Sequence, residues 1–375
     1  MRRCLHVVAF LCASAFCVSP LRAVAATTSN DLFPSAVGKR LDREIDEIVK
    51  RNNLPSVTVG IFVPGKGRYT FVTGFANLRT HTARSLDQPF RIASVTKPFA
   101  ATAVLTLVDR GLLRKNDPIA KWYPQFPNAD RITIDDLLRM RSGIPADSDD
   151  AVLARVYDAP LAPAPSLADD LSSLARLRAR FKPPNTESVY TDFNYDMLGG
   201  IVQRVTGHDI GELITTTVIA PLKLRNTSYP AGTGIPGPLR GYGWNPSTKR
   251  FEDKTLFNPP LAGAAGAVVS DTADLYTFSR ALCRGGLLKP QTQREQLMGQ
   301  RITAGAAYGE GVAFFHGFCG HNGTINGFST DMWYVKAVDA SVVISVNRLD
   351  RNNRSQSTPV LEVVAKTILS ALPRK

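Results

Sequence analysis

Ser94 and Lys97 stand three residues apart in Ser94-Val95-Thr96-Lys97, at the head of an apolar run that ends near Arg110 and Gly111. Three residues along a helix bring two side chains onto one face, so the lysine amine reaches the serine hydroxyl. Serine is a poor nucleophile until a base takes its proton, and a lysine takes part when burial or a neighbouring charge sets its protonation state. A backbone N–H at a helix start has no partner inside the helix, so that of Ser94 can be aimed at a developing oxyanion. The chemistry on offer is acyl transfer through a serine ester. A Ser-x-x-Lys spacing also arises by chance in a chain of 375 residues, and taken alone it leaves coincidence standing.

The surrounding sequence adds weight. Phe90-Arg91-Ile92-Ala93 leads into Ser94, Pro98-Phe99 follows Lys97, and Asp117-Pro118, Thr133-Ile134-Asp135-Asp136-Leu137-Leu138 and Ser142-Gly143-Ile144-Pro145 come after. Together these resemble the serine β-lactamase and D-alanyl-D-alanine carboxypeptidase family of penicillin-recognising hydrolases, in its class C-like branch. The resemblance covers nearly the whole chain beyond the first 26 residues. It implies a second motif, Tyr-x-Asn at a helix start, matched by Tyr190-Thr191-Asp192 ahead of Leu198-Gly199-Gly200. By that match Tyr190 is the third catalytic residue: its phenolate, stabilised by Lys97, would accept the proton of Ser94 and pass it to the leaving group.

Asp192 replaces the asparagine of that motif, and a carboxylate cannot donate a hydrogen bond to a substrate carbonyl. It can instead pair with Lys97 and hold it as a cation, which favours Tyr190 as the base; either residue stays open for that role. The third motif, usually Lys-Thr-Gly on an edge strand with histidine in place of lysine in some peptidases and esterases, is matched by His321-Asn322-Gly323-Thr324 before Gly327-Phe328. The resemblance places His321 beside Tyr190 and gives the Thr324 N–H the second half of the oxyanion hole. Asn322 replaces a threonine that often binds a substrate carboxylate. Arg240-Gly241-Tyr242-Gly243-Trp244 resembles a loop at the cleft rim, whose aromatic rings would contact an acyl chain or pack the two lobes together.

Positioning these residues is the task of the elements between them. Val37, Leu41, Ile45, Ile48 and Val49 recur at helical spacing over Ser35 to Asn53. Ser56 to Val63 and Arg68 to Ala76, joined by Pro64-Gly65-Lys66-Gly67, read as a hairpin. Further helices are expected over Ser94 to Arg110, Thr133 to Met140, Leu167 to Phe181, Phe193 to Thr206, Ile210 to Ile219, Thr272 to Arg284 and Thr358 to Leu372, and strands over Phe328 to Val335 and Ser341 to Asn347. The expected fold is α/β of the α+β kind: an antiparallel sheet built from both chain ends, flanked by helices, with a mainly helical inserted lobe. Residues 27–115 and 259–375 would form the sheet-containing lobe and residues 116–258 the helical one.

Residues 1–26 read as a signal peptide: Arg2 and Arg3, an apolar run from Cys4 to Val18, then Ala23, Ala25 and Ala26. That segment takes three arginines and no acidic residue out of a formal net charge of +13, which leaves +10. A basic surface suits anionic envelope polymers or plain solubility, and no nucleic-acid motif accompanies it. Cys283 and Cys319 remain as a disulfide or as two thiols. The expectation is a periplasmic or secreted serine hydrolase without cofactor, metal or stable membrane anchor. It would act on a small peptide, amide or ester, peptidoglycan-derived peptides included, and most resemble a D-alanyl-D-alanine carboxypeptidase. Carboxylesterase, β-lactamase and a catalytically weak penicillin-binding envelope scaffold are the alternatives.

Overall fold

A computed structural model describes residues 25–146 and 156–372, apart from 167, 168, 170, 173–175 and 177–179. The expected signal segment, except its last two residues, and much of the pattern at Leu167 to Phe181 lie outside the described residues. The chain opens on β1 (Thr27–Asn30), β2 (Ser56–Val63) and β3 (Gly67–Asn77), with β4 (Thr82–Ala83) paired to β3. Four short strands, β5 (Phe90–Arg91), β6 (Tyr242–Asn245), β7 (Arg250–Asp253) and β8 (Val269–Ser270), form the separate ladders β5–β8 and β6–β7. The last third supplies β9 (Gln300–Thr303), β10 (Ala306–Tyr308), β11 (Ala313–Phe315), β12 (Phe318–Ile325), β13 (Phe328–Val335) and β14 (Ala340–Val346). The main sheet runs β1-β3-β2-β14-β13-β12-β11-β10-β9 and is antiparallel throughout. The two chain ends therefore meet at its centre, where Ile61 of β2 faces Val342 of β14.

β14 is buried along its whole length because both sheet faces are covered. Side chains alternate across a strand. Val342, Ile344 and Val346 pack with Leu41, Ile45, Val360 and Val364 from the helices Ser35–Arg51 and Thr358–Ala371. Val343 turns to the other face and joins the core that holds Phe278 of the helix Thr272–Arg284. Each fully buried Leu, Ile or Val contributes roughly 1.5–3 kcal/mol, which is how the period-four stripe of the first helix becomes a packed layer.

The helix Thr96–Asp109 behaves differently, since every residue from Thr96 to Leu107 is buried. A helix apolar on all sides belongs in the interior. It packs against the helices Phe193–Thr206 and Ile210–Ile214 and the short turn Gly263–Gly266, and Phe99 stacks on Phe278 with ring centroids 3.6 Å apart. Cys283 and Cys319 form a disulfide that ties the helix Thr272–Arg284 to β12. The Arg240–Trp244 segment is a packing element: Gly241 lies against the Phe328 ring, the Tyr242 hydroxyl accepts from Leu78 N at 2.7 Å, and Trp244 meets Phe251 edge to face and lies under the Arg351 guanidinium.

Candidate active site

Ser94 lies in a single 3-10 turn, Ala93–Val95, that runs into the buried helix. The chain enters this turn through Ala93 at φ +50°, a left-handed conformation that costs a residue with a Cβ of order 1–3 kcal/mol and persists where surrounding structure enforces it. The enforcement is visible on both sides. Arg91, buried, donates to the carbonyls of Thr233 and Thr255, while Ile92 N bonds Val268 O at 3.1 Å. On the other side β12 presses against the turn. A Cβ on Gly323 would sit 2.3 Å from Ile92 O and 2.9 Å from Ser94 N, so the close approach requires glycine.

That contact faces an open edge. β11 pairs with β12 only over Phe318 to Gly320, so beyond His321 the outer side of β12 is free to line a cleft. In an antiparallel ladder a residue turns its N–H and its C=O the same way. The Thr324 carbonyl accepts from the Tyr157 hydroxyl at 3.5 Å, away from β13, and its N–H therefore points to the cleft side as well.

Lys97 is fully buried and its Nζ meets three acceptors: Ser94 Oγ at 3.0 Å, Ala265 O at 3.1 Å and Asp192 Oδ1 at 2.5 Å. With the Tyr190 hydroxyl also bonded to the amine, these surroundings suit an ammonium, which has protons to give and no lone pair. Burial pushes its pKa down, but the Asp192 carboxylate and Tyr190 outweigh that and hold it well above the ordinary lysine value. Asp192 stands at the N-cap of the helix Phe193–Thr206 and makes no capping bond, because its carboxylate is turned to Lys97. The preceding loop is fastened to the segment Met140–Gly143 by Val189 N to Met140 O at 2.9 Å and Lys182 N to Gly143 O at 2.9 Å, and Ser142 Oγ donates to Asn194 Oδ1 at 2.6 Å.

Tyr190 is 41 % exposed at the cleft, with Lys97 Nζ 4.8 Å from its ring centre and its hydroxyl bonded to Lys97 and Ser94. The stabilised phenolate expected from the sequence is not what these surroundings favour. Desolvation raises the Tyr190 pKa, Asp192 raises it further, and together they outweigh the lowering by Lys97, so the resting group is a phenol. The physical reason is that Asp192 neutralises the cation meant to do the stabilising.

His321 is buried beside Tyr190, with ring centroids 6.2 Å apart. Its Nδ1 donates to the Asn322 carbonyl at 2.5 Å and its Nε2 accepts from the Tyr308 hydroxyl at 3.1 Å, so both nitrogens are used by the neutral ring. Burial first, then the Lys97 charge, push its pKa down to about 3. Asn322 is exposed, Gly323 buried and Thr324 half-buried. Ser94, Lys97, Tyr190, Asp192 and His321 thus converge, with the β12 backbone at Gly323 and Thr324 beside them, while Asn322 is an exposed residue of that strand. Sequence reasoning missed Ala265, which acts through its carbonyl and has no side-chain signal, and Tyr157, Tyr195 and Tyr308, which carry no motif. Tyr195, whose ring centre is 5.8 Å from Lys97 Nζ, donates to Leu138 O at 3.2 Å and interacts with Tyr308. Among the described residues no group of three or more His, Cys, Asp or Glu gathers as metal ligands, and no helix is long and apolar enough to cross a membrane.

The Beta-lactamase family profile matches residues 41–365. The chain belongs to the beta-lactamase family. The coarse class that goes with this membership is a hydrolase. Protein flp of Staphylococcus aureus is 30 % identical over 201 residues, 51 % of this chain and 38 % of that protein, so the chain spans well under half the length of that relative. The D-amino acid amidase of Ochrobactrum anthropi, solved with L-phenylalanine amide, superposes with a TM-score of 0.75 at 23 % identity, covering 89 % of this chain and 99 % of its own. A D-stereospecific amidohydrolase from Streptomyces superposes with a TM-score of 0.71 at 26 % identity, covering 88 % and 97 %.

Proposed function

We propose that the protein is an exported serine hydrolase that works through an acyl-enzyme on Ser94 and acts as a D-alanyl-D-alanine carboxypeptidase-like peptidase or amidase on small amide substrates. The observation that carries this reading is the triple donation of Lys97 Nζ to Ser94 Oγ, Ala265 O and Asp192 Oδ1. A lysine held as an ammonium by Asp192 donates to the serine oxygen and has no lone pair with which to accept its proton. Tyr190, in contact with Ser94, is the group left to take it.

In this mechanism the reacting form is the one in which the Tyr190 phenol has lost its proton to solvent, a minor form at neutral pH. Ser94 Oγ attacks the substrate carbonyl carbon while its proton passes to the Tyr190 phenolate, and the carbonyl oxygen gathers negative charge between the N–H groups of Ser94 and Thr324. Tyr190 gives the proton to the leaving amine or alkoxide as the bond breaks. Water then attacks the Ser94 ester by the reverse proton path and releases the acid. No cofactor enters. The family membership and the two amidase-fold neighbours support an amide substrate, and the Cys283–Cys319 disulfide supports an oxidising compartment, periplasmic or extracellular.

An ester substrate is the second reading. Asp192 favours it, since its paired carboxylate offers no N–H to a substrate amide. A β-lactamase is disfavoured by the neutral His321, which brings no positive charge to a carboxylate. The test is intact-mass detection of acylation by D-alanyl peptides, D-amino acid amides, esters and penicillins. The Ser94→Ala variant should lose the adduct and on the order of a million-fold of turnover. Equal labelling of wild type and variant would sink the assignment.

A further inference from the structure

The Tyr157 hydroxyl occupies the one feature of the cleft edge that a peptide-like substrate needs most. A strand residue that bonds an extended partner across an antiparallel edge exchanges two hydrogen bonds with a single partner residue: its N–H goes to that residue's C=O, and its C=O receives that residue's N–H. If the Thr324 N–H holds the carbonyl under attack, the Thr324 C=O is the acceptor for the N–H of that same substrate residue, on the acyl side of the scissile bond. Tyr157 already donates to it, at 3.5 Å.

The tyrosine is held there from both directions. Its neighbour Val156 accepts from the buried Asn326 side chain at the β12–β13 turn. Further along, Asn258 N bonds Pro160 O at 2.7 Å and Asn258 Nδ2 bonds Ala162 O at 2.8 Å. The segment is thus strapped across the mouth of the cleft, with the Tyr157 ring packed against the core and its hydroxyl exposed to the fields of Asp192, Lys97 and Tyr190.

We propose that Tyr157 is a specificity-determining residue that selects against acyl groups carrying an N–H next to the reacting carbonyl. N-acylated amino acids, the acyl side of a peptide, must compete with its hydroxyl for the Thr324 carbonyl and the space in front of it, whereas acyl groups without that donor bind with the tyrosine in place. This rests on the Ser94 acyl-enzyme and moves its preferred substrate away from the carboxypeptidase end of that reading: within small amides and esters, the favoured acyl groups are those without that N–H.

The experiment compares two activated esters that differ in one atom, N-acetyl-D-alanyl and O-acetyl-D-lactyl, on wild type and Tyr157→Phe, which keeps the packed ring. The variant should raise kcat/KM for the N–H substrate roughly three- to tenfold, mostly through KM, and leave the oxygen isostere unchanged. Turnover with an unchanged ratio, or an equal change for both esters, overturns the role of Tyr157 alone. If the wild type forms no Ser94 adduct and turns over neither ester, the acyl-enzyme reading falls and this inference falls with it.

Discussion

Lys97 Nζ and Asp192 Oδ1 lie 2.5 Å apart, and this contact takes the carboxylate away from the helix it precedes. An N-cap aspartate ordinarily bonds the N–H groups of the first turn, a contribution of roughly 1 kcal/mol that is forgone here. In exchange, a buried ammonium is neutralised beside the Ser94 hydroxyl.

The first prediction concerns that pair. In Asp192→Asn the anion that raises the Tyr190 pKa is gone and the Lys97 charge acts on the phenol uncompensated, so the Tyr190 pKa falls. If the phenolate is the base, the ascending limb of kcat/KM moves to lower pH. The asparagine also supplies an N–H, so the amide-to-ester ratio should rise a few-fold to about tenfold. Rates measured from pH 6 to 10.5 on a matched amide and ester check both effects. A limb that does not move would remove Tyr190 from the role of base.

Much of this arrangement is legible in the sequence because it rests on helical periodicity. The helices Phe193–Thr206 and Thr272–Arg284 match their apolar patterns end to end, and Ser94 and Lys97 fall on one face as their spacing requires. The helix expected over Ile210 to Ile219 changes at Thr215–Ile219 to a π-type turn, where the hydroxyls of Thr215, Thr216 and Thr217 bond carbonyls four residues back. That competition for backbone acceptors does not show in an apolar pattern. β12 is the more instructive case. Phe318-Cys319-Gly320-His321-Asn322-Gly323-Thr324-Ile325 carries two glycines and an asparagine, residues that strands disfavour, so propensity alone does not pick it out. Those glycines are there because backbone must approach backbone, at Ile92 and Ser94 for Gly323 and at Met332 for Gly320. The site thus imposes the residues that hide its own strand.

Gly323→Ala turns that close approach into a second prediction. The new methyl would meet Ile92 O, Ala93 Cβ and Ser94 N, all within 2.9 Å and two of them backbone, so β12 must move away from Ser94. If the Ser94 and Thr324 N–H groups hold the oxyanion as proposed, their misalignment costs kcat roughly 10²–10³, and the overpacking costs roughly 1–3 kcal/mol of stability. Gly234→Ala, where a Cβ meets nothing within 4 Å, is the control and should keep full activity. A Gly323→Ala variant with wild-type kcat would mean that Thr324 does not serve the oxyanion.

Glu310 carries the third prediction, on stability. Its side chain is wholly buried, with Oε1 receiving Lys115 Nζ at 2.7 Å and an Arg139 amine at 3.0 Å, while Glu295 and Asp135 face the same two cations. The segment it anchors matters to the site: Gly311 N bonds Leu138 O at 3.0 Å, the Gly311 backbone lies against Ala101 and the Lys97 carbonyl, and Tyr308 precedes it. Desolvation first, then the neighbouring Asp135, push the Glu310 pKa up to about 7 against the pull of Lys115 and Arg139. Between about pH 4.5 and 7 the folded protein therefore holds a proton that the unfolded chain releases, and stability falls as pH rises through that window. Each unit of the window is worth about 1.4 kcal/mol, so on the order of 3 kcal/mol is at stake. Glu310→Gln keeps the shape without the titration. At pH 4.5 it should match the wild type, and its stability relative to the wild type should climb as the pH approaches 7.5. Urea unfolding of both proteins at pH 4.5, 6 and 7.5 reads this difference, which cancels every group the two share. A difference that stays constant across those three pH values would mean that Glu310 is already ionised in the folded protein at pH 4.5, held there by Lys115 and Arg139.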